Sequence, residues 1–369
     1  MIETKEFYDY LISKELDFFV GVPDSLLKNL CSCIKENSDK KSNIIAVNEG
    51  NAVAIASGYH ITSSKLGVVY MQNSGIGNAV NPLLSLADED VYNIPMLLIV
   101  GWRGQPGQKD EPQHVKQGKV TLSLFETMGI ETVILDYNYE QQIDYCINYM
   151  KQYNKPIALV VKKHSFTEYK CSKEANSYTL TRESALENII KSLNDEDFIV
   201  STTGKTSREI FEIREKSKKG HSNDFLTVGS MGHTSSIAFG MSVKTDKNIY
   251  CIDGDGSFLM HMGGLAVIAQ NANENFKYIL INNGAHESVG GQPTVAFNIK
   301  IDKILEAVGF ENVYSAITVD EVNIGLSHLK NEKLAALIIY TKQGSRDDLG
   351  RPTISTIDNK ISFMKKMEM

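Results

Sequence analysis

The sequence predicts an α/β protein built from two doubly wound, mainly parallel sheets, and three observations carry that reading. Short apolar runs alternate with helical spacings in both halves of the chain, with turns rich in Gly, Asn and Ser between them. The alternation lapses over residues 164–182, where Lys, Ser, Glu and Thr replace it. Residues 248–292 spell one complete strand–turn–helix–strand–turn unit. The expected division is a first domain over 1–168, a linker over 169–182 and a second domain over 183–369. No third domain is expected between them.

In the first half, Phe7, Leu11, Ile12 and Leu16 have helical spacing. A strand at Phe18–Val20 breaks at Gly21-Val22-Pro23-Asp24-Ser25, where Asp24 or Ser25 can cap a helix over 26–36. A strand over 43–47 runs into Asn48-Glu49-Gly50-Asn51 and then a helix of small residues, 52–58, able to pack closely. A strand over 66–71 ends at Gln72-Asn73-Ser74-Gly75, and a helix covers 79–87. The strand over 95–100 leaves through Gly101-Trp102-Arg103 into a long polar loop, 105–117. Strands near Val133 and Leu159, with a helix between them, complete this half.

In the second half a helix leads to the strand Phe198–Val200 and the turn Thr203-Gly204-Lys205-Thr206. That turn is not a P-loop, because Ile199 stands where the first glycine is required. It is either a diphosphate contact or a plain strand–helix turn. A strand near 225–228 precedes Gly229-Ser230-Met231-Gly232 and another small-residue helix. The complete unit follows: strand 249–252, the turn Asp253-Gly254-Asp255-Gly256-Ser257, helix 258–271, strand 278–281, and the turn Asn282-Asn283-Gly284. A last strand lies at 335–340, followed by a basic loop.

In such a unit both turns lie outside the carboxyl ends of the strands. Asp255 and Asn283, 28 positions apart, can therefore meet. A carboxylate, an amide oxygen and a backbone carbonyl suit Mg²⁺ when a diphosphate completes the shell. Gly254 and Gly256 admit phosphate oxygens to the backbone, and Ser257 sits where a helix opens toward an anion. A calcium loop starting at Asp253 would need Glu at its twelfth position, where Gly264 stands.

The composition bounds the partners. A net charge of −7 without a basic stripe argues against nucleic acid. Five cysteines without a CxxC pattern suit reduced thiols in a cytoplasmic protein. The longest apolar run, 94–100, is too short to span a membrane. No signal-peptide pattern is visible at the start.

GDGS followed by NN across a βαβ unit resembles the cofactor motif of the thiamine diphosphate enzymes. The resemblance implies a metal site of Asp255, Asn283 and the Ala285 carbonyl. It also implies that Glu49, in NEGNAVA, is the carboxyl that activates the cofactor's pyrimidine. Taken alone, Glu49 reads as a helix-start carboxylate that complements the dipole. In GSMG, Gly229 is implied to accept from the cofactor's amino group and Met231 to wedge beneath its rings; ordinary core packing is the alternative for Met231. Thr203 and Gly204 become a second diphosphate contact. The cofactors implied are thiamine diphosphate and Mg²⁺.

GVPDSLL, YMQNSGIGNAVNPL, GWRGQPGQKDEPQHVKQG, GDGSFLMHMG and NNGAHESVGGQPT narrow the resemblance to the phosphonopyruvate decarboxylase group, with sulfopyruvate decarboxylases as the sister group. The implied reaction is loss of CO₂ from a small anionic 2-oxo acid, 3-phosphonopyruvate. A carboligase of acetolactate-synthase type and a silent diphosphate-binding module are the further alternatives. Asp24, Ser25, Asn73, Ser74, Arg103, Lys109 and Gln113 are the candidate substrate contacts, and Glu49, His286 and His114 the candidate catalytic residues. Arg103 is the first choice for the phosphonate and His114 the second. The 105–117 loop, with Lys109 and Lys116, is expected either to close over the substrate or to be a solvated loop. The resemblance further implies a homodimer or higher homo-oligomer with active sites between subunits.

Overall fold

The computed structural model describes residues 1–171 and 176–369. The chain divides into two compact units, Met1–Lys173 and Glu174–Met369. Part of the expected linker, 172–175, lies outside the described residues.

The first unit carries β1 (Phe19–Gly21), β2 (Asn43–Ile45), β3 (Gly67–Gln72), β4 (Met96–Gly101), β5 (Glu131–Ile134) and β6 (Ile157–Val161). They form one sheet in the order β2-β1-β3-β4-β6-β5. Every pairing in it is parallel. Alternate residues serve opposite cores. Leu97, Ile99, Ile157 and Leu159 enter one cluster, while Met96, Leu98, Val100 and Val160 enter the other. That is the period-two signature of a sheet buried on both faces.

The second unit carries β7 (Phe198–Ser201), β8 (Asp224–Leu226), β9 (Ile249–Gly254), β10 (Phe276–Asn282), β11 (Ala285–His286), β12 (Gln292–Pro293), β13 (Asn312–Ala316) and β14 (Ala335–Tyr340). Its main sheet runs β13-β14-β10-β9-β7-β8, again parallel throughout. Tyr250, Ile252, Ile279 and Ile281 face one core, and Ile249, Cys251, Tyr278 and Leu280 the other. Strands β11 and β12 form a small antiparallel ribbon. No further domain stands in the chain between the two units among the described residues.

Each sheet has a central point from which successive connections leave in opposite directions. In the first it lies between β1 and β3, in the second between β7 and β9. Such switch points open a crevice at the carboxyl edge.

Two departures from the sequence reading matter for the site. The polar loop 105–117 is cut short by a helix at Pro112–Thr127. Proline presets the first helical turn there. The buried face of this helix is His114, Gly118, Thr121 and Phe125, so its apolar periodicity is nearly invisible. The helix expected over 258–271 is two helices, Asp255–Met260 and Gly264–Asn271. Asp255 thus opens a helix directly.

Gly21 shows how tightly β1 and β3 are joined. A Cβ there would lie 2.0 Å from the Tyr70 carbonyl oxygen, which also accepts from the Val22 N–H at 3.1 Å. Gly21→Ala should therefore cost about 1–3 kcal/mol through overpacking. Urea unfolding checks this, and an unchanged midpoint would contradict so close an approach of β1 and β3.

Candidate active site

In the second unit the chemistry gathers at the carboxyl ends of β7, β9 and β10. Asp253 is fully enclosed; it accepts from its neighbour's Gly254 N–H at 2.9 Å and the Tyr278 hydroxyl at 3.2 Å. Burial lifts its carboxyl to about 6. Asp255, 4 % exposed, accepts from the Thr294 hydroxyl at 2.5 Å, and burial lifts it to about 7. The neighbours acting on Asp255 are neutral donors and a second carboxylate. Thr294 also donates its N–H to the Gly284 carbonyl at 3.0 Å, so one residue joins the Asp255 turn to the Asn283 turn.

Asn283, also buried, accepts the Ala285 N–H on Oδ1 at 3.0 Å and donates from Nδ2 to Glu287 at 2.9 Å. The turn between needs glycine: Gly284 has φ +69°, and a Cβ would lie 2.3 Å from the Phe297 ring. At Gly256 an added Cβ would lie 2.8 Å from His286 Nδ1 and 3.0 Å from Met231 Cε. Glycine, imidazole and thioether therefore converge. Burial drops His286 to about 4, so it is neutral at physiological pH. The Gly232 N–H, next to Met231, donates to Ser257 Oγ at 3.2 Å. This ties the 229–232 segment to the Asp255 helix. Gly204, at φ +93°, precedes the helix Lys205–Ser217, and Thr203 stands beside it. Gly254 closes β9, and Gly229 leads into the 229–232 segment.

In the first unit Asn48 caps the helix Glu49–Ser63 and places Glu49 at its first position. Glu49 is 5 % exposed and accepts from Asn78 Nδ2 at 2.7 Å. Burial raises its carboxyl, with Asn78 opposing. Gly75 makes room: a Cβ there would lie 2.1 Å from Glu49 Oε1.

A second polar chain follows the β1/β3 switch point. Ser74 donates to Gln72, which donates to Asp24 at 2.6 Å. Asp24 is buried, and burial raises its carboxyl. Asn73 clamps the Arg103 backbone from both sides and also donates to Thr121. The Arg103 guanidinium reaches Ser25 at 2.7 Å and engages Asp110 through two nitrogens. Its charge is thus already paired.

Lys109 and Lys116 are exposed, while Gln113 and His114 sit on the first turns of the helix Pro112–Thr127. Gln113 Oε1 and His114 Nδ1 are buried without a protein partner. Burial, with Arg103 nearby, drops His114 to about 4. Backbone packs on backbone here: a Cβ at Gly118 would lie 1.8 Å from the Gly104 carbonyl oxygen. The helix is packed here, while residues 106–109 form an exposed loop.

Comparison with known proteins joins the two units. Residues 4–124 match the thiamine pyrophosphate enzyme N-terminal TPP binding domain, and 202–339 match the corresponding C-terminal TPP binding domain. The chain is 30% identical over 375 residues to a phosphonopyruvate decarboxylase of Streptomyces hygroscopicus, covering 96% of this chain and 91% of that one. The chain belongs to the thiamine diphosphate-dependent decarboxylase family. This decarboxylase is also 28% identical over 322 residues to a sulfopyruvate decarboxylase of Methanosarcina acetivorans, covering 80% of each chain. Phosphonopyruvate decarboxylase of Streptomyces viridochromogenes is 30% identical over 356 residues, 91% of this chain and 87% of that one.

Several partners in the decarboxylase's site had no local signal. Thr294 reaches Asp255 across 39 positions and Asn78 reaches Glu49 across 29. Glu287 is held by Arg182 and Lys205, 105 and 82 positions away.

Glu49 makes a pH prediction. Its folded pKa is raised, so the stability it contributes is full below the ordinary Glu range, about 4.3. That stability is lost as pH rises through the folded value. Glu49→Gln cannot ionise and escapes this loss. Urea unfolding of the cofactor-free proteins from about pH 4 to pH 8 should show the variant gaining on wild type as pH rises. A gap independent of pH would mean that the Glu49 carboxyl is not held neutral.

Proposed function

We propose that this chain decarboxylates 3-phosphonopyruvate to phosphonoacetaldehyde and CO₂, using thiamine diphosphate and Mg²⁺. The observation that carries the reading is Asp255 and Asn283, both buried, their turns bridged by Thr294 through Asp255 and the Gly284 carbonyl, at the ends of neighbouring parallel strands beside a switch point. A buried carboxylate among neutral donors fits a divalent cation, which would favour its ionised form.

In this reading Asp255, the Asn283 amide oxygen and the Ala285 carbonyl hold the metal. Gly254, Gly256, Ser257, Thr203 and Gly204 receive the diphosphate. Bound thiamine diphosphate supplies a nucleophilic thiazolium carbon and a cationic ring that takes up the electrons released with CO₂. Glu49 holds a proton against the pyrimidine nitrogen, a task its buried carboxyl suits. Met231 would pack against the cofactor's rings, and the Gly229 carbonyl would accept from its pyrimidine amino group. His286, neutral and beside Met231 and Gly256, moves a proton at its ring nitrogen.

Asp24, Ser25, Asn73, Ser74, Arg103, Lys109 and Gln113 bind the substrate, with His114 assisting. Tight cationic pairing at the leaving carboxylate would stabilise the ground state and oppose reaction. Arg103, whose Nε and Nη2 are taken by Asp110, therefore serves the phosphonate end through Nη1, beside Ser25. We further propose that Glu49 of one chain serves the Asp255 turn of a second, in a homodimer or larger homo-oligomer in the cytoplasm.

Phosphonopyruvate is preferred because two relatives of that name match most of the chain. The relative named sulfopyruvate decarboxylase supports a second reading, the sulfonate analogue. Purified protein with thiamine diphosphate and Mg²⁺, given each substrate in turn, separates the two. CO₂ and aldehyde should form at least tenfold faster, about 1.4 kcal/mol in the barrier, from phosphonopyruvate. Faster turnover of sulfopyruvate would establish the second reading, and a ligated product would establish a carboligase. Glu49→Gln should bind cofactor yet lose about 10²–10⁴-fold in turnover; retained turnover would make the carboxyl structural.

A further inference from the structure

Beside the Asn283 turn lies a buried ionic group that the reaction does not require. Arg182 opens the helix Arg182–Ser192 and is 5 % exposed. Its Nε and Nη2 engage both oxygens of Glu209, at 2.6 and 2.8 Å. Its remaining nitrogen, Nη1, donates to Glu287 Oε2 at 2.5 Å. Lys205, next to Gly204, donates to Glu287 Oε1 at 3.1 Å. Glu287 Oε2 also accepts from Asn283 Nδ2 at 2.9 Å. One carboxylate thus touches the turn after β7, the turn after β10 and a cation fixed from behind.

An amide side chain is nearly symmetric in shape but not in chemistry. An ionised carboxylate only accepts, so the group facing Glu287 must be the NH₂ of Asn283. On the other side the Ala285 N–H only donates, so the group facing it must be the oxygen. Reversing the amide would set oxygen against carboxylate and NH₂ against N–H. Of these two constraints the charged one is the stronger.

We propose that Glu287 is a positioning residue that fixes which way the Asn283 amide faces, presenting Oδ1 to the metal, and that Arg182 and Lys205 hold Glu287 in place for it. This rests on the reading of Asn283 as a metal ligand. Partners behind a metal ligand typically govern affinity by about 10–100-fold.

The test is calorimetric titration of cofactor-free protein with thiamine diphosphate at fixed Mg²⁺, with circular dichroism to verify folding. Glu287→Gln should weaken binding about 10–100-fold. In an Asn283→Ala background the same change should add no more than about twofold, because the residue it acts through is gone. Glu287→Ala removes the acceptor altogether and should weaken binding at least as much. It keeps the test decisive even if Glu287→Gln does not fold. Wild-type binding by either Glu287 variant, or an undiminished effect in the Asn283→Ala background, overturns the proposal. Wild-type binding by Asn283→Ala would instead overturn the metal-ligand reading on which it rests.

Discussion

The parallel pairing of β9 with β7 on one side and β10 on the other decides where chemistry can occur in the second unit. Parallel neighbours send their carboxyl ends to the same edge, so three turns distant in sequence arrive side by side. One bears Thr203 and Gly204, one bears Asp255, and one bears Asn283. Each then feeds a feature that a distant part of the chain completes. Thr294 bridges the second and third turns, and Glu287 bridges the first and third. The first unit repeats the device: Asp24 after β1 and Gln72 at the end of β3 meet across its own switch point.

Burial of acids is the second constraint. Asp24, Glu49, Asp253 and Asp255 are all enclosed, and burial raises each of them. An ionised carboxylate in such a place is costly unless something compensates it. The two units resolve this differently. Glu49 has a neutral amide as partner and is suited to staying protonated, as a proton-holding group must be. Asp255, with Asp253 close by, has neutral donors and that second carboxylate as its largest influences after burial and is suited to a metal. Glu287 marks the contrast, since it is compensated by Arg182 and Lys205 and kept as an anion with a positional task.

The two sheets and the Asp255–Asn283 unit were legible because their signals are local. Unbroken apolar runs mark doubly buried strands, and turns of Gly, Asp and Asn close them. Glu49 was legible only through resemblance; its burial depends on Gly75 leaving room and Asn78 supplying a donor. The helix Pro112–Thr127 was missed because only Phe125 among its four buried residues is apolar. For the same reason its first turns, 112–117, read as part of a polar loop. The sequence displayed the cations of that segment but not their geometry. Asp110 takes two nitrogens of Arg103, leaving a guanidinium oriented by its own carboxylate. The split of the helix after Asp255 also escaped notice, because the apolar spacing continues through His261–Gly263 while the backbone does not.

The most direct test of a cation held by Asp255 and Asn283 is whether thiamine diphosphate stabilises the folded chain only with Mg²⁺ present. Unfolding of wild type and Asp255→Ala would be followed with saturating cofactor, with and without a chelator. Cofactor at about a hundred times its dissociation constant should stabilise wild type by about 2.7 kcal/mol in Mg²⁺. It should stabilise neither chelated wild type nor Asp255→Ala in Mg²⁺. Equal stabilisation of Asp255→Ala, or undiminished stabilisation after chelation, would contradict a metal-bridged diphosphate at this edge.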